Sequence, residues 1–527
     1  GEKAAVFTSI GPGALQALAG SLAAASDGVG VWHVYADETT QAEGPNMQQL
    51  TGERQEQFLR VCAEMGPAYT LHTPEALPEA LRRGLNAVEH PHRGQPFFLL
   101  LPINTQPQVM HDFRIRSLPV GAPPPLGAAA DGGRYAEAAR QLLAADRVVV
   151  RVGGGARGLG APLRRLLDLV DGFAVVSPVA SGTLAYDDPR NQTVGGSKGS
   201  IAGNFAMENA DHLLAIGSRA VCQADMSRTG YPQVRQVTNI NTDPGAALHY
   251  ANTVALVGAA EPTLEKLIEA LEALGATPQG LDSPWARSNQ QAWQEWVAFK
   301  DERFGQPTLH DEMWGRDVLT QPAAIRAVTA WARANQHVTF FDAGDVQANG
   351  FQINEDDRPG QTITETGASY MGFSASALLA TAISDSDLRA VAMTGDGSFT
   401  MNPQVLIDGV QHGARGIIVL LDNRRQGAIS SLQRAQYGID YSTNDQVAVD
   451  YVAWASAVAG VHAAHGGSSV GDLTAALDRA ATHDGLSLIH VPVYFGDDPL
   501  GGLGSFGRWN VGSWVDATQK LRKEMTI

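Results

Sequence analysis

The sequence predicts an α/β protein made of three doubly wound, parallel-sheet domains. Short apolar runs alternate with longer helix-like segments along the whole chain, which is the pattern of parallel strands joined by crossover helices. The 527 residues leave room for about three domains of ordinary size. With 44% hydrophobic and 18% charged residues, the chain has the composition of a globular protein with large cores.

Charge and cysteine content exclude several classes of protein. A formal net charge of -17 opposes binding to the phosphate backbone of nucleic acid. The two cysteines, Cys62 and Cys222, are too few for a secreted disulfide scaffold or for a zinc site built on cysteine. No apolar run reaches the ~18 residues of a membrane span. We therefore expect a cytoplasmic protein with no membrane or nucleic-acid partner.

The first domain is predicted over residues 1–116, with a linker at 117–134. Its predicted elements are a strand at 4–10, a helix after Gly11-Pro12-Gly13, a helix at 75–87 and a strand at 97–101. The segment 117–134 is rich in Pro, Gly and Ala, a composition that disfavours helices and central strands.

A middle domain is predicted over 135–275 and a third domain over 321–497. The segment 276–320 between them is polar and is expected to wrap the surface, and 498–527 forms a C-terminal tail. The predicted strands are 147–152, 212–216 and 237–241 in the middle domain, and 338–342, 390–394, 417–422 and 486–493 in the third.

A glycine-rich turn in the third domain carries the first chemical signal. A buried strand ends at Thr394, Gly395-Asp396-Gly397-Ser398 form the turn, and a helix and a second strand lead to Asn423. Parallel strands bring their carboxyl ends to one edge of the sheet, so Asp396 and Asn423 are expected in one crevice. Carboxylate and amide oxygens suit Mg²⁺, and glycines allow close approach to phosphate. The alternative is a glycine-rich turn without a metal.

This segment resembles the cofactor motif of thiamine-diphosphate-dependent enzymes. The resemblance implies that Mg²⁺ is held by Asp396, Asn423 and the main-chain carbonyl of Arg425. It also implies that Gly395, Gly397 and Ser398 contact the diphosphate.

A second part of the resemblance is the glycine-containing stretch that ends at Phe373. In the family, an apolar residue at this place props the cofactor into a bent shape, and Met371 is the matching residue. The carbonyl of Ser369 would accept a hydrogen bond from the cofactor's amine, and Gly344 is also assigned to cofactor binding. The alternative for Met371 is an ordinary core role.

Over nearly the whole chain, the sequence is similar to the trihydroxycyclohexane-1,2-dione hydrolase and cyclohexane-1,2-dione hydrolase branch of the acetolactate-synthase-like superfamily. The residues that carry this similarity are 8–14, Gln48-Gln49, 365–373, 420–424, Gly427, Ile429 and Leu432-Gln433. The resemblance implies pyrimidine-binding, middle and diphosphate-binding domains. Gly11, Pro12 and Gly13 would hold the pyrimidine end, and Gln48 and Gln49 are assigned to the catalytic site. Arg425-Gln426 stands where this branch has a Gly-aromatic pair, which leaves the substrate open.

Thiamine-diphosphate enzymes carry a glutamate about 24 residues before the Gly-Pro-Gly motif, which promotes cofactor activation. Counting back from Gly11 passes the first residue. We expect a truncated chain or a separate small N-terminal subunit; the alternatives are another group, such as Glu365, or none. The resemblance also implies a homodimer or homotetramer, because these sites form between the first domain of one subunit and the third domain of another.

The predicted function is cleavage or formation of a C–C bond next to a carbonyl, with thiamine diphosphate and Mg²⁺. Hydrolytic cleavage of a 1,2-diketone is preferred over carboligation of 2-keto acids, and a non-catalytic or partner-dependent subunit is a further alternative. Gly153-Gly154-Gly155 could cradle a nucleotide such as FAD, but a structural role is preferred. His462 and His465, predicted at a helix end, lack an acidic third ligand for a metal.

Overall fold

The computed structural model describes residues 3–44, 47–50, 52, 54–384, 387–443, 447–504 and 516–527. By internal contacts, these residues form two compact units. The first unit comprises residues 1–126 and 366–368, and the second comprises residues 127–365 and 369–527. Part of the predicted tail, residues 505–515, and Pro45 in the loop before Gln48 lie outside the described residues.

The first unit contains one four-stranded parallel sheet in the order β1-β2-β4-β3. Its elements are β1 (Ala4–Thr8), α1 (Pro12–Asp27), β2 (Val31–Asp37), α2 (Gln57–Ala63), β3 (Ala68–Thr70), α3 (Leu77–Val88) and β4 (Pro96–Pro102). Strand β4 has the sequence PFFLLLP and is buried along nearly its whole length, as expected for a strand covered on both faces. Strand β1 lies at the edge of the sheet, with Phe7 74% exposed.

The second unit begins with a six-stranded parallel sheet, the middle sheet, in the order β10-β9-β8-β5-β6-β7. Its elements are α4 (Gly132–Ala144), β5 (Val148–Val152), α5 (Gly160–Leu169), β6 (Phe173–Val176), β7 (Asn191–Val194), α6 (Ile201–Asn209), β8 (His212–Ile216), α7 (Cys222–Asp225), β9 (Gln236–Asn241), α8 (Pro244–Ala247), β10 (Thr253–Val257) and α9 (Ala260–Ala273). This order is that of a doubly wound nucleotide-binding fold, with its reversal between β5 and β8.

The segment after the middle sheet differs from the polar surface wrap predicted for 276–320. It forms the long helix α10 (Pro284–Gly305) and the antiparallel pair β11 (Thr308–Asp311) and β12 (Arg316–Leu319). Ser283 caps α10, since its hydroxyl accepts a hydrogen bond from the Ala286 N–H at 2.9 Å. Trp285 and Trp296 of α10 are buried, so this helix packs into the core instead of lying on the surface.

A second six-stranded parallel sheet, the third sheet, follows in the order β14-β13-β15-β16-β18-β17. Its elements are α11 (Gln321–Ala334), β13 (Val338–Phe341), α12 (Asp345–Ile353), β14 (Thr362–Thr364), α13 (Phe373–Ala377), α14 (Ala380–Ile383), β15 (Ala390–Gly395), α15 (Asp396–Phe399), α16 (Val405–His412), β16 (Gly416–Asp422), α17 (Gly427–Tyr437), α18 (Tyr451–Ser456), β17 (His462–His465), α19 (Val470–Ala481) and β18 (Leu486–Pro492), followed by α20 (Asp516–Arg522) in the tail. The winding direction reverses between β13 and β15.

The three large sheets are parallel throughout, which confirms the predicted α/β fold class. In the part of the chain that the structure describes, none of the helices has the length and apolar character needed to cross a membrane.

Candidate functional site

The third sheet brings the predicted metal ligands together at its carboxyl edge. Gly395 pairs with Leu421 across β15 and β16, so Asp396 and Asn423 follow at neighbouring strand ends. Asp396 is 7% exposed and begins α15, while Asn423 is half-buried. This edge lies beside the reversal point between β13 and β15, where doubly wound sheets bind ligands.

Asn423 lies in a turn ordered by its own hydrogen bonds. Its Oδ1 accepts from the Arg425 N–H at 3.0 Å, and the Arg425 carbonyl accepts from the Gly427 N–H at 2.9 Å. Each of these oxygens keeps a further lone pair for a ligand. The preceding Asp422 is used differently, because its Oδ2 lies 2.9 Å from Nε2 of the buried His490. Asp422 is thus tied to the neighbouring strand β18 through His490, whereas Asn423 lies in the turn beyond the strand end.

The turn between β15 and α15 is uncrowded at Gly395 and tighter at Gly397. A Cβ atom built on Gly395 would have no neighbour closer than 4.0 Å. One built on Gly397 would lie 3.1 Å from Gln426 Nε2 and 3.6 Å from Met371 Cε. The structure thus brings Met371 and Gly397 together, and it adds Gln426, which sequence reasoning did not assign. Ser398 is buried beneath this turn.

The stretch around Met371 packs on the same turn. A Cβ on Gly372 would lie 3.3 Å from the Ser398 carbonyl oxygen. Ser369, two residues before Met371, has the left-handed φ of 53° that L-residues seldom adopt. The buried Glu365 orders this stretch, because its Oε2 accepts a hydrogen bond from the Tyr370 N–H at 2.8 Å.

Asp342, at the end of β13, is a site residue that sequence reasoning missed. Its carboxylate is fully buried and accepts five hydrogen bonds. The donors are the N–H groups of Ala343, Gly372 and Ser374 and the hydroxyls of Ser374 and Thr394. One side chain therefore ties together the ends of β13 and β15 and the stretch that carries Met371. Gly344, also assigned from sequence, immediately precedes α12 at this edge.

In the first unit, the predicted site residues gather at the start of α1. Gly11 has a φ of 67°, and Pro12 is the first residue of the helix. A Cβ on Gly11 would lie 3.0 Å from Gln49 Oε1, so Gln49 packs against this turn, while Gln48 is exposed. A Cβ on Gly13 would lie 2.6 Å from the Ser9 hydroxyl.

Asp37, at the carboxyl end of β2, was not singled out from sequence. Burial, assisted by the nearby carboxylates of Glu43, Glu38 and Glu56, raises the pKa of Asp37 to about 6. Its Oδ1 accepts a hydrogen bond from the Glu38 N–H at 2.9 Å. Carboxyl groups whose pKa is raised by burial and by neighbouring carboxylates are common at functional sites.

The carboxyl edge of the middle sheet is closed, in contrast to that of the third. A Cβ on Gly153 would lie 2.3 Å from the Gly217 carbonyl oxygen and 2.5 Å from Ser218 Cα. The loops after β5 and β8 therefore touch through their backbones where a nucleotide would bind, which favours the structural role of Gly153-Gly154-Gly155.

The histidine pair of the third domain lies on a strand. His462 and His465 are the two ends of β17, so the predicted helix end is wrong. Within the described ranges, which omit 385–386, 444–446 and 505–515 among others, no group of three or more His, Cys, Asp or Glu side chains is arranged to hold a metal. The Asp396–Asn423 pair would not form such a group, because Asn423 offers an amide oxygen and is not one of these four residue types.

Two family models match the chain. The central domain of thiamine pyrophosphate enzymes matches residues 135–267, and the C-terminal TPP binding domain of these enzymes matches residues 342–491. Together the two matches cover more than half of the chain, and the second spans the stretch from Asp342 to beyond Asn423.

Relatives of known name extend the comparison. The chain is 26% identical over 518 residues to the 3D-(3,5/4)-trihydroxycyclohexane-1,2-dione hydrolase of Bacillus subtilis (strain 168), covering 93% of this chain and 80% of that protein. It is 26% identical over 546 residues to the protein of the same name from Listeria monocytogenes serotype 4b (strain F2365), covering 96% of this chain and 82% of that protein. It is 30% identical over 368 residues to the acetolactate synthase isozyme 2 large subunit of Escherichia coli (strain K12), covering 68% of this chain and 62% of that protein. These matches confirm the resemblance stated from sequence.

Proposed function

Because the chain belongs to the thiamine pyrophosphate-dependent enzymes, we propose that it hydrolyses a C–C bond of a cyclic 1,2-diketone. The observation that carries the proposal is the open carboxyl edge of the third sheet, where Asp396, Asn423 and Met371 converge on one glycine turn. Relatives named as trihydroxycyclohexane-1,2-dione hydrolases, similar over more than nine-tenths of the chain, support this substrate class.

The residues at this edge fit the cofactor. Asp396 and Asn423 offer the oxygen donors that Mg²⁺ prefers, and the Arg425 carbonyl would be the third protein ligand. The uncrowded backbone at Gly395 suits a phosphate group, with Gly397 and Ser398 following in the same turn. When bound, thiamine diphosphate supplies an electron sink for the bond that breaks next to a carbonyl.

The chain's own residues would orient the reactants and move protons. Met371 would support the cofactor from below, and the Ser369 carbonyl would accept a hydrogen bond from its amine. Glu365 is our proposed acid–base residue in the second unit, and Gln48 and Gln49 are proposed to face the substrate. Hydrolysis adds the hydroxyl of water to one carbonyl carbon and a hydrogen to the other, giving a linear oxo acid.

A second candidate function is carboligation of 2-keto acids. The similarity to an acetolactate synthase large subunit supports it, as does the absence of adjacent histidines at Gln48-Gln49, which disfavours simple decarboxylation. Its products would be CO₂ and an acyloin or acetolactate-type compound.

We also propose an assembly of several chains. A homodimer or homotetramer agrees with the resemblance, and a small N-terminal polypeptide could add a strand to the sheet of the first unit. The exposed Phe7 on the edge strand β1 supports that addition, because open apolar edges are normally covered.

Within the second unit, we propose residues 135–275 and 321–497 as separate domains, each with its own six-stranded sheet. FAD is not favoured as a ligand of the domain at 135–275.

The test is a product analysis of the full chain with thiamine diphosphate and Mg²⁺. We expect cyclohexane-1,2-dione to yield a linear acid with the mass of the dione plus one water, and Asp396→Ala to abolish the reaction. CO₂ release from pyruvate with an acyloin product would instead favour carboligation. Turnover that is equal in the wild type and in Asp396→Ala would refute both functions.

A further inference from the structure

The loop between β7 and α6, residues 195–200, has the sequence GGSKGS and is tied down by side-chain hydrogen bonds. The Asn204 side chain closes it from both sides: its Oδ1 accepts from the Gly196 N–H at 2.7 Å, and its Nδ2 donates to the Gly196 carbonyl at 3.2 Å. Ser200 caps α6, accepting from the Gly203 N–H at 2.8 Å. A side chain presented by this loop is therefore held in a fixed place.

The loop is closely packed against its neighbours. A Cβ on Gly196 would lie 2.2 Å from the Gln223 carbonyl oxygen, and one on Gly199 would lie 2.6 Å from Gly195 Cα. Lys198, between them, has the left-handed φ of 54°. A lysine in this conformation is strained by about 1 kcal/mol, and strain of this kind concentrates at functional positions.

The loop presents Lys198 to the first residue of α12. Lys198 Nζ lies 2.6 Å from Asp345 Oδ1, and both side chains are only 12% exposed. A second contact fixes the approach, since Gln352 Nε2 of the same helix donates to the Gly199 carbonyl at 3.0 Å. The ammonium group is therefore held at one end of α12, where it is largely shielded from solvent.

That end of α12 borders the turn that carries Asn423. A Cβ built on Gly427 would lie 2.8 Å from Asp345 Oδ2 and 3.0 Å from Asn423 Nδ2, so both side chains line the same small space. The start of a helix carries partial positive charge, so the ammonium group of Lys198 lies at the end of α12 that repels cations. Asp345 supplies a carboxylate that balances this charge, 2.6 Å from Lys198 Nζ.

We propose that Lys198 binds an oxyanion at the carboxyl edge of the third sheet, either the diphosphate of the cofactor or the carboxylate of a keto acid. Asp345 holds the ammonium in position and competes with the incoming anion for it. This inference rests on the proposed thiamine-diphosphate site, and its keto-acid arm rests on the second candidate function, because a cyclic 1,2-diketone carries no carboxylate. It adds an anion-binding residue that lies outside the glycine turn and comes from the middle-sheet part of the unit.

Two substitutions with opposite expected effects test the proposal by calorimetric titration of the full chain with thiamine diphosphate and Mg²⁺, and with pyruvate in the presence of the cofactor. Lys198→Met removes a charge-assisted hydrogen bond and should weaken one of the two affinities at least about tenfold, whereas Lys198→Arg should restore most of it. Asp345→Asn removes a competing negative charge and should tighten the same affinity by about threefold. Lys520→Met, which removes a lysine paired with Asp516 at the same 2.6 Å in the exposed α20, is the matched control and should change neither.

The two ligands distinguish the source of the anion. A loss confined to thiamine diphosphate assigns Lys198 to the diphosphate, and a loss confined to pyruvate assigns it to the substrate carboxylate. Affinities in Lys198→Met within about twofold of the wild type would overturn the inference while leaving the proposed function intact. A lower ligand affinity in both Lys198→Met and Asp345→Asn would also overturn the inference, because that result indicates a purely structural ion pair. A wild type that does not bind thiamine diphosphate would refute the proposed function, and this inference with it.

Discussion

The middle and third sheets are both six-stranded, parallel and doubly wound, yet their carboxyl edges differ. At the middle sheet, glycines let two loops touch, with Gly153 and Gly217 in backbone contact. At the third sheet the backbone is less crowded at Gly395, where a Cβ would meet nothing closer than 4.0 Å, although one on Gly397 would lie 3.1 Å from Gln426 Nε2. Glycine at position 153 therefore permits backbone contact between two loops, whereas a side-chain methyl group would fit at position 395.

Buried polar groups account for part of this difference. The third sheet has Asp342, whose five hydrogen bonds hold the ends of β13 and β15 and the Met371 stretch in one arrangement. The middle sheet has Asn241 at the end of β9, which donates to the Ser218 carbonyl at 2.9 Å and accepts from the Asp243 N–H at 3.2 Å. A gap between loops needs such a framework, whereas loops in direct contact support each other.

Removal of the Asp342 carboxylate is the change with the largest expected effect. Asp342→Ala leaves buried N–H and hydroxyl donors without an acceptor, and it should lower the free energy of unfolding by about 4 kcal/mol, measured by urea denaturation. Asn241→Ala in the middle sheet is the matched control, with an expected loss of about 1 kcal/mol. Equal losses in the two variants would show that the third sheet has no special polar framework.

A pair of glycine substitutions tests the closed and open edges directly. Gly153→Ala places a methyl group against backbone that cannot move aside, so we expect a loss of about 3 kcal/mol in unfolding free energy. Gly395→Ala has room for its methyl group and should change that free energy by less than about 1 kcal/mol. Its methyl group would instead fill the space that we assign to the cofactor, so thiamine diphosphate binding should weaken about tenfold.

Stability measurements and titration calorimetry on the same two variants separate these outcomes. A Gly395→Ala protein as unstable as Gly153→Ala would mean that the third edge is also closed. A Gly395→Ala protein with unchanged stability and unchanged cofactor affinity would mean that the space beside Gly395 is not used for binding.

The fold class and the central motif were predictable because they depend on local sequence. Buried parallel strands are continuous apolar runs, and the spacing from Asp396 to Asn423 follows from one strand–helix–strand crossover. Gln49 lies close to Gly11 and Met371 lies close to Gly397, and the roles that the resemblance assigns to these residues stay predictions.

The remaining site residues depend on contacts between distant segments. Asp342 looks like an ordinary strand-end residue until Gly372, Ser374 and Thr394 fold around it. His462 and His465 were assigned to a helix because alanines separate them, but pairing with β18 makes them a strand. Lys198 and Asp345 are 147 residues apart, and no local pattern connects them.

The most direct test of the central claim is calorimetric titration of thiamine diphosphate in Mg²⁺ into the wild type and Asp396→Ala. We expect saturable binding to the wild type that is abolished by EDTA. Asp396→Ala should weaken it at least about a hundredfold, because a divalent cation loses a carboxylate ligand. Equal affinity in the two proteins, or no binding by the wild type, would contradict the assignment of the third sheet's carboxyl edge as the cofactor site.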